Sequence, residues 1–388
     1  MTNVNNPQKP DSLLWSLGVP LLVCSLGVVA VLYFLEQKNQ WNHSVERIRT
    51  DLRHIPPEWI GYRQTSVLVL PIEGQATCFA LGGDSAFVVG SADPPRLSFF
   101  DETGTLLRTI DLPVEPKAIA CGTPDTLFTD KIVVAHPNSI VVYTAEGEPV
   151  QPLWEHVGLH TISGSTWIRP FPLLGTGVLG SEGLVDIKSL VLTQDYLFAA
   201  DSGNRLVYRF EDQVQWWNVS RIGVGTGFSE VDFDWLETSF DGFVVYAAPI
   251  TMTYCSQNDL LYIANPGRHR VDVFTQDGVY RPDLSWGEPS GSLSGFAGCC
   301  NPIDLAVLDD GRILTVEKGI SRVKVYRTDG GLDTVAAGSD ILDRFPSALS
   351  ERRPLEPGGR YCSAVPLSEG RIAVFDFDYA TVRIFAEN

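Results

Sequence analysis

The sequence predicts an all-β chain, a six-bladed β-propeller preceded by one transmembrane helix. Three observations predict it. A strand–turn–strand unit recurs six times from residue 86 onward. The last unit is short of one strand, and the segment Ser66–Leu70 belongs to no unit of its own. The stretch Leu13–Leu35 carries no charge. Composition agrees, because 35 Gly and 25 Pro against 2 Met suit short strands joined by many turns. With 47 acidic and 29 basic side chains, the net charge of −18 excludes nucleic acid as a partner. Phosphate binding relies on clustered Lys and Arg.

Residues 1–12 form a short tail. Residues 13–35 are long enough to cross roughly 30 Å of hydrocarbon as a helix. Trp15 lies near one end, and Tyr33 and Trp41 near the other, as interfacial anchors. Pro20 is tolerated in such a span. Val28-Val29-Ala30 loosely fits a signal-peptide cleavage site, but the apolar run continues to Leu35, so an uncleaved anchor is expected. Val23 before Cys24 disfavours a lipoprotein site. Residues 36–60 read as a juxtamembrane helix and linker, stopped by Pro56-Pro57. Lys38, Arg47, Arg49 and Arg53 after the span outnumber Lys9 before it, which favours a cytoplasmic propeller. Long domains translocate largely regardless of charge, so a single-pass protein with an extracytoplasmic, periplasmic propeller is expected.

The propeller is expected over 65–388. Its repeat reads clearly in Leu197-Phe-Ala-Ala-Asp-Ser-Gly-Asn-Arg-Leu-Val-Tyr-Arg-Phe210 and in Leu261-Tyr-Ile-Ala-Asn-Pro-Gly-Arg-His-Arg-Val-Asp-Val-Phe274. Ile313–Tyr326 and Ile372–Phe385 follow the same pattern, as do the looser units at 86–100 and 132–143. Apolar strands before and after most pairs raise each unit to four strands, the composition of a propeller blade. Pairing 66–70 with the last unit completes blade six and removes an exposed sheet edge.

The turns between second and third strands resemble the NHL repeat, in which an acid or amide ends one strand and an Arg begins the next. Asp201 and Arg205, Asn265 and Arg270, and Glu317 and Arg322 carry the pattern. Ser91 and Arg96, and His136 and Ser139, depart from it, and blade six keeps Asp376 with Thr381 in the Arg position. Gly298-Cys-Cys-Asn-Pro302, leading into Asp309-Asp-Gly-Arg and Glu317-Lys-Gly, resembles a subgroup of bacterial NHL-type propellers. Such propellers gather ligands on the face bearing these turns. The candidates there are His136, Asp201, Arg205, Asn265, Arg270, Glu317, Arg322 and Asp376. The plainer expectation is that each acid pairs with its own Arg and pins its turn.

Cys78, Cys121, Cys255 and Cys362 are placed on inner strands, and Cys299-Cys300 just before the inner strand of blade five. They read as inert packing, as disulfides including a vicinal ring, or as a thiolate metal or redox site built from Cys299, Cys300, Cys78 and Cys362. Propeller lactonases of the gluconolactonase type hold a divalent metal ion in the channel, and propeller amidating lyases use histidines. Only His136 and His269 fall within the repeat here. Two insertions, 156–183 with Trp167 and Phe171, and 221–248 with Phe228, Phe233, Trp235, Phe240 and Phe243, form either an aromatic docking surface or packing for the connectors. The expected function is a membrane-held module binding a protein partner or ligand, in one version within a membrane-associated redox complex. The alternative is a metal-dependent hydrolase or lyase.

Overall fold

The computed structural model describes residues 53–83, 87–137, 139–155, 185–213, 216–222, 240–344 and 362–388. The expected tail, membrane span and most of the linker lie outside them. Among the described residues no helix is long and apolar enough to cross a membrane. Within the linker, Pro57–Trp59 forms a 3-10 turn.

Six antiparallel sheets follow. Blade one holds Ala76–Leu81, Phe87–Ala92, Pro95–Phe100 and Leu106–Asp111. Blade two holds Ala118–Cys121, Lys131–His136, Ser139–Thr144 and Pro149–Glu155. Blade three holds Ile187–Leu192, Tyr196–Asp201, Leu206–Gln213 and Trp216–Ile222. Blade four has only Met252–Cys255, Leu260–Asn265 and Arg270–Thr275 as regular strands. Its outer strand is replaced by an irregular return, bonded at Val271 with Trp286 and bridged at Phe274 with Tyr280. Blade five holds Asp304–Val307, Ile313–Glu317, Arg322–Tyr326 and Leu332–Ala337.

Blade six is composite. Cys362–Pro366, Ile372–Asp376 and Thr381–Glu387 are completed by Tyr62–Val69, which pairs antiparallel with Thr381–Glu387 through Val67↔Arg383 and Leu68↔Val382. This strand starts earlier than Ser66 because Tyr62 is itself buried in the core. Arg312 ties the junction from blade five, with Nη1 3.0 Å from Glu387 and 2.9 Å from Asp333.

Period-2 alternation explains why the sheets close into a ring. Adjacent side chains on a strand point to opposite faces, and here both faces meet another blade. In blade one, Phe87 and Val89 pack against Ala373 and Phe375 of blade six, whereas Val88 packs against Ile132 and Val134 of blade two. Val133 and Ala135 meet Leu197 and Ala199 of blade three, and Phe198 meets Leu261 of blade four. Tyr262 then meets Ile313, and Leu314 meets Ile372. Each fully buried Val or Phe contributes about 1.5–3 kcal/mol by leaving water, so the core is six inter-blade layers.

The first strands of successive blades are neighbours around the axis. Side chains also stitch them together. Thr77 Oγ1 donates to Pro116 O at 2.6 Å, and Thr251 Oγ1 donates to Ile303 O at 3.3 Å. Ser189 Oγ donates to Met252 O at 3.4 Å and accepts from Met252 N–H at 3.2 Å.

Candidate functional site

The face bearing the turns between second and third strands also receives the connections from blade to blade. His136, Asp201, Asn265, Glu317 and Asp376 end their second strands there, all at most 3% exposed. A buried polar group is costly unless bonded, and the bonds show what these residues do. Asp201 Oδ1 accepts from Asp186 N–H at 3.0 Å, Asn265 Oδ1 from Val244 N–H at 2.9 Å, and Glu317 Oε2 from Ala297 N–H at 3.0 Å. In each case the donor belongs to the incoming connection. His136 Nδ1 meets Glu115 O of its own incoming connection at 3.2 Å. Asp376 Oδ1 accepts from Asp378 N–H and Tyr379 N–H and so shapes its own turn.

A second set of contacts lies seven residues further along, on the third strand. His136 Nε2 is 2.9 Å from Tyr143 Oη, and Tyr208 Oη donates to Asp201 Oδ2 at 3.4 Å. Asn265 Nδ2 donates to Asp272 Oδ2 at 2.7 Å, and Lys324 Nζ lies 2.8 Å from Glu317 Oε1. In blades three and four the expected pairing of each acid or amide with the first Arg of the next strand is therefore revised. Arg205 is exposed in a left-handed turn conformation (φ 59°), while Asp201 is bonded to Asn204 and Tyr208. Arg270 pairs with Asp272 at 2.7 Å rather than with Asn265. Arg322 faces Glu317 across the strand pair and is fully buried beside Lys324. Period 2 is the signal for the missed partners, since a residue two or four positions after the one paired across from the acid, amide or His shares its face.

Burial sets the charges in this layer. It lowers the His136 pKa, which favours a neutral imidazole. It raises the Asp272 carboxyl against the pull of Arg270. It brings the Lys324 ammonium down to about 8 in spite of Glu317. On the inner strand of blade five, burial pushes Asp304 up to about 6, although Ser363, Ala364 N–H and Leu305 N–H all donate to it.

The cysteines are placed as expected but do not converge. Cys78 packs between blades one and two, and burial raises its thiol to about 12. Cys255 packs between blades four and five, and Cys300 and Cys362 belong to the layer between blades five and six. Cys78, Cys299, Cys300 and Cys362 thus form no single thiolate site. Cys299 and Cys300 stand together, with Sγ atoms 3.1 Å apart. Among the described residues no group of three or more His, Cys, Asp or Glu converges to hold a metal ion. The candidate acids and amides are instead engaged by backbone N–H groups of the connections and turns.

In the second insertion, Phe240 and Phe243 turn inward, with Phe240 5.1 Å from the Phe274 ring and 5.0 Å from Tyr280. They pack the connector. Tyr246 turns outward and is 75% exposed. Its surroundings are held firmly, since Val244 O accepts from Gly267 N–H at 2.9 Å and Ala247 O accepts from Lys318 Nζ at 2.6 Å. Trp167, Phe171, Phe228, Phe233 and Trp235 lie outside the described residues.

No protein-family model matches the chain, and a search of curated proteins returns no match. Among solved structures, it is similar to a protein of unknown function from Bacteroides thetaiotaomicron at 15% identity, with 84% of this chain and 72% of that chain covered and a TM-score of 0.49. Virginiamycin B lyase from Staphylococcus aureus aligns at 11% identity over 81% of each chain, with a TM-score of 0.45. The β-propeller domain of Swd1 from Myceliophteria thermophila aligns at 9% identity over 83% of this chain and 100% of that one, with a TM-score of 0.49. Likenesses this distant say nothing about activity; the chain's own strand pairing establishes it as a six-bladed β-propeller.

Proposed function

We propose that this chain is a membrane-anchored binding module of the NHL type. Residues 13–35 tether it, and the face bearing the inter-blade connections is presented on the extracytoplasmic, periplasmic side to a protein partner or ligand. The observation that carries this reading is Tyr246. A large aromatic side chain 75% exposed on a connector whose flanking backbone is bonded on both sides is the kind of rigid amphipathic anchor on which interfaces concentrate their energy. The buried polar residues supply the support. They hold the connections in one conformation, so little ordering entropy remains to be lost on binding.

The test places a photo-crosslinking amino acid at position 246 and, separately, at Leu107 on the outer strand of blade one, in the full chain in its native membrane. A discrete adduct at 246 that is absent at 107 supports the reading. Equal crosslinking at both positions, or none at either, overturns it. Elemental analysis of the same protein tests the rival class. Stoichiometric calcium, with hydrolysis of a lactone lost on its removal, would replace binding by catalysis.

A further inference from the structure

The turn Gly298–Pro302 enters blade five on the connection-bearing face. Gly298 has φ 79° and Cys300 φ 63°. The first is a conformation glycine adopts freely, and the second is one that a residue with a Cβ adopts only when its surroundings enforce it. Asn301, with no exposed surface, does the enforcing. Its Nδ2 donates to Ala297 O at 2.5 Å and to Lys318 O at 3.0 Å, and its Oδ1 accepts from Lys318 N–H at 2.8 Å. The turn is thereby clamped to the turn between the second and third strands of the same blade. The result is two sulfur atoms 3.1 Å apart, one exposed on Cys299 and one buried on Cys300.

We infer that Cys299 and Cys300 form a thiol–disulfide exchange site, which closes to a ring disulfide and reopens against a low-molecular-weight disulfide such as oxidised glutathione. Three features support it. First, the sulfurs need to approach by only about 1 Å to reach the roughly 2.05 Å of a disulfide bond, so the dithiol form already holds them near bonding distance. Second, a disulfide between adjacent residues encloses almost no chain. The stabilisation that a structural disulfide gives through loop closure grows with loop length, so this one has little to contribute as a staple, and such strained or exposed disulfides are the labile kind. Third, the pair is asymmetric. Only Cys299 is open to a soluble reagent, whereas Cys300 lies behind it, 1% exposed. Burial, together with the neighbouring Cys299 thiol, keeps the Cys300 thiol protonated.

The exchange balances as follows. The Cys299 thiol gives its proton to water, and its thiolate attacks one sulfur of the small disulfide, forming a mixed disulfide and expelling the first small thiolate, which takes up a proton. The Cys300 thiol gives its proton to water, and its sulfur attacks the Cys299 sulfur and expels the second small thiolate. Two protein thiols are oxidised to one disulfide, and one small disulfide is reduced to two thiols. Reduction runs the same steps backward.

The test uses the purified full chain in detergent, equilibrated against reduced and oxidised glutathione in graded ratios. Each sample is quenched with an alkylating agent, and the proteolytic fragment spanning 299–300 is read by mass spectrometry. The expected result is a fragment that loses two hydrogens and escapes alkylation as the ratio becomes oxidising, and that recovers both thiols on reduction. Cys299→Ser abolishes the change, while Cys300→Ser strands Cys299 as a persistent glutathione adduct. Because Cys299 is exposed, its variant is expected to keep the wild-type near-ultraviolet circular dichroism, which separates loss of exchange from loss of fold. Two outcomes in the wild-type chain overturn the inference. One is a glutathione adduct on Cys299 that never resolves, and the other is a pair that stays alkylatable at every ratio.

Discussion

Replacing Lys324 with Met tests the buried ionic layer most directly. The Lys324 side chain has no exposed surface. Its Nζ lies 2.8 Å from Glu317 Oε1, 2.7 Å from Gly295 O and 3.0 Å from Leu293 O, above the Phe296 ring at 4.5 Å. Met preserves most of the apolar stem, so packing loss is small and the change is electrical. It leaves the Glu317 carboxylate buried with Ala297 N–H as a remaining donor and strips two carbonyl groups of theirs. Breaking a buried ion pair from one side costs about 3–5 kcal/mol. Burial opposes the attraction here, as the lowered Lys324 pKa indicates, so the pair's net contribution is smaller than the cost of breaking it from one side. The double variant Glu317→Gln with Lys324→Met removes both charges and keeps an acceptor for Ala297. Arg322 stays buried across from position 317 in every variant, and the double change is expected to cost less than the two single changes together, because its second step no longer breaks a pair. Guanidinium chloride unfolding of the full chain, followed by tryptophan fluorescence with the slopes compared, measures all the variants. A single variant costing under about 1 kcal/mol, or a double variant costing the sum of the two singles, would refute the reasoning.

Asn265→Ala removes the acceptor for Val244 N–H and the donor to Asp272. It should cost about 2–3 kcal/mol, with amide exchange quickened at Val244 and Gly267. Asp304 gives a pH signature. Its native carboxyl holds a proton up to about pH 6, while the unfolded one releases it near pH 4. The native state therefore binds more protons between these values, and stability falls as pH rises from about 4 to 6 and levels off above. The loss is at most about 2–3 kcal/mol, less where the channel admits water. Asp304→Asn should lack this slope, and denaturation midpoints across that range decide it. Deleting Tyr62–Val69 should expose the edge of Thr381–Glu387 and produce aggregates detectable by light scattering; a soluble monomer would count against the closure.

The ring was legible in the sequence because period-2 apolar runs and leftover strands are one-dimensional signals. Val67 and Arg383 pair as the incomplete last unit implied. Polar partners were harder to read. Asp272 and Lys324 sit inside apolar third strands, and only the shared face of alternate residues marks them as companions of Asn265 and Glu317. An outer strand followed most pairs in the sequence but was not marked out for blade four, where the stretch holding Pro282 and Gly287 forms isolated bridges instead. In the second insertion, a run of aromatics did not reveal that Phe240 and Phe243 turn in while Tyr246 turns out. The nearness of Sγ299 and Sγ300 depends on the left-handed backbone at Cys300, a choice made by the buried Asn301 contacts rather than by the Cys-Cys pair.

The junction in blade six also has a meaning in time. Thr65 Oγ1 donates to Ile384 O across 319 positions of chain. At synthesis rates of about 5–20 residues per second, the early strand spends roughly 15–60 s without its mate. Through that interval blades one to five can assemble in order of emergence, but the two ends of the row stay open until the latecomer arrives. A ribosome that stops before residue 381 would therefore release an arc with two sticky ends, an easily recognised target for proteases and chaperones, whereas a polypeptide read through to residue 387 passes in one step to a closed ring.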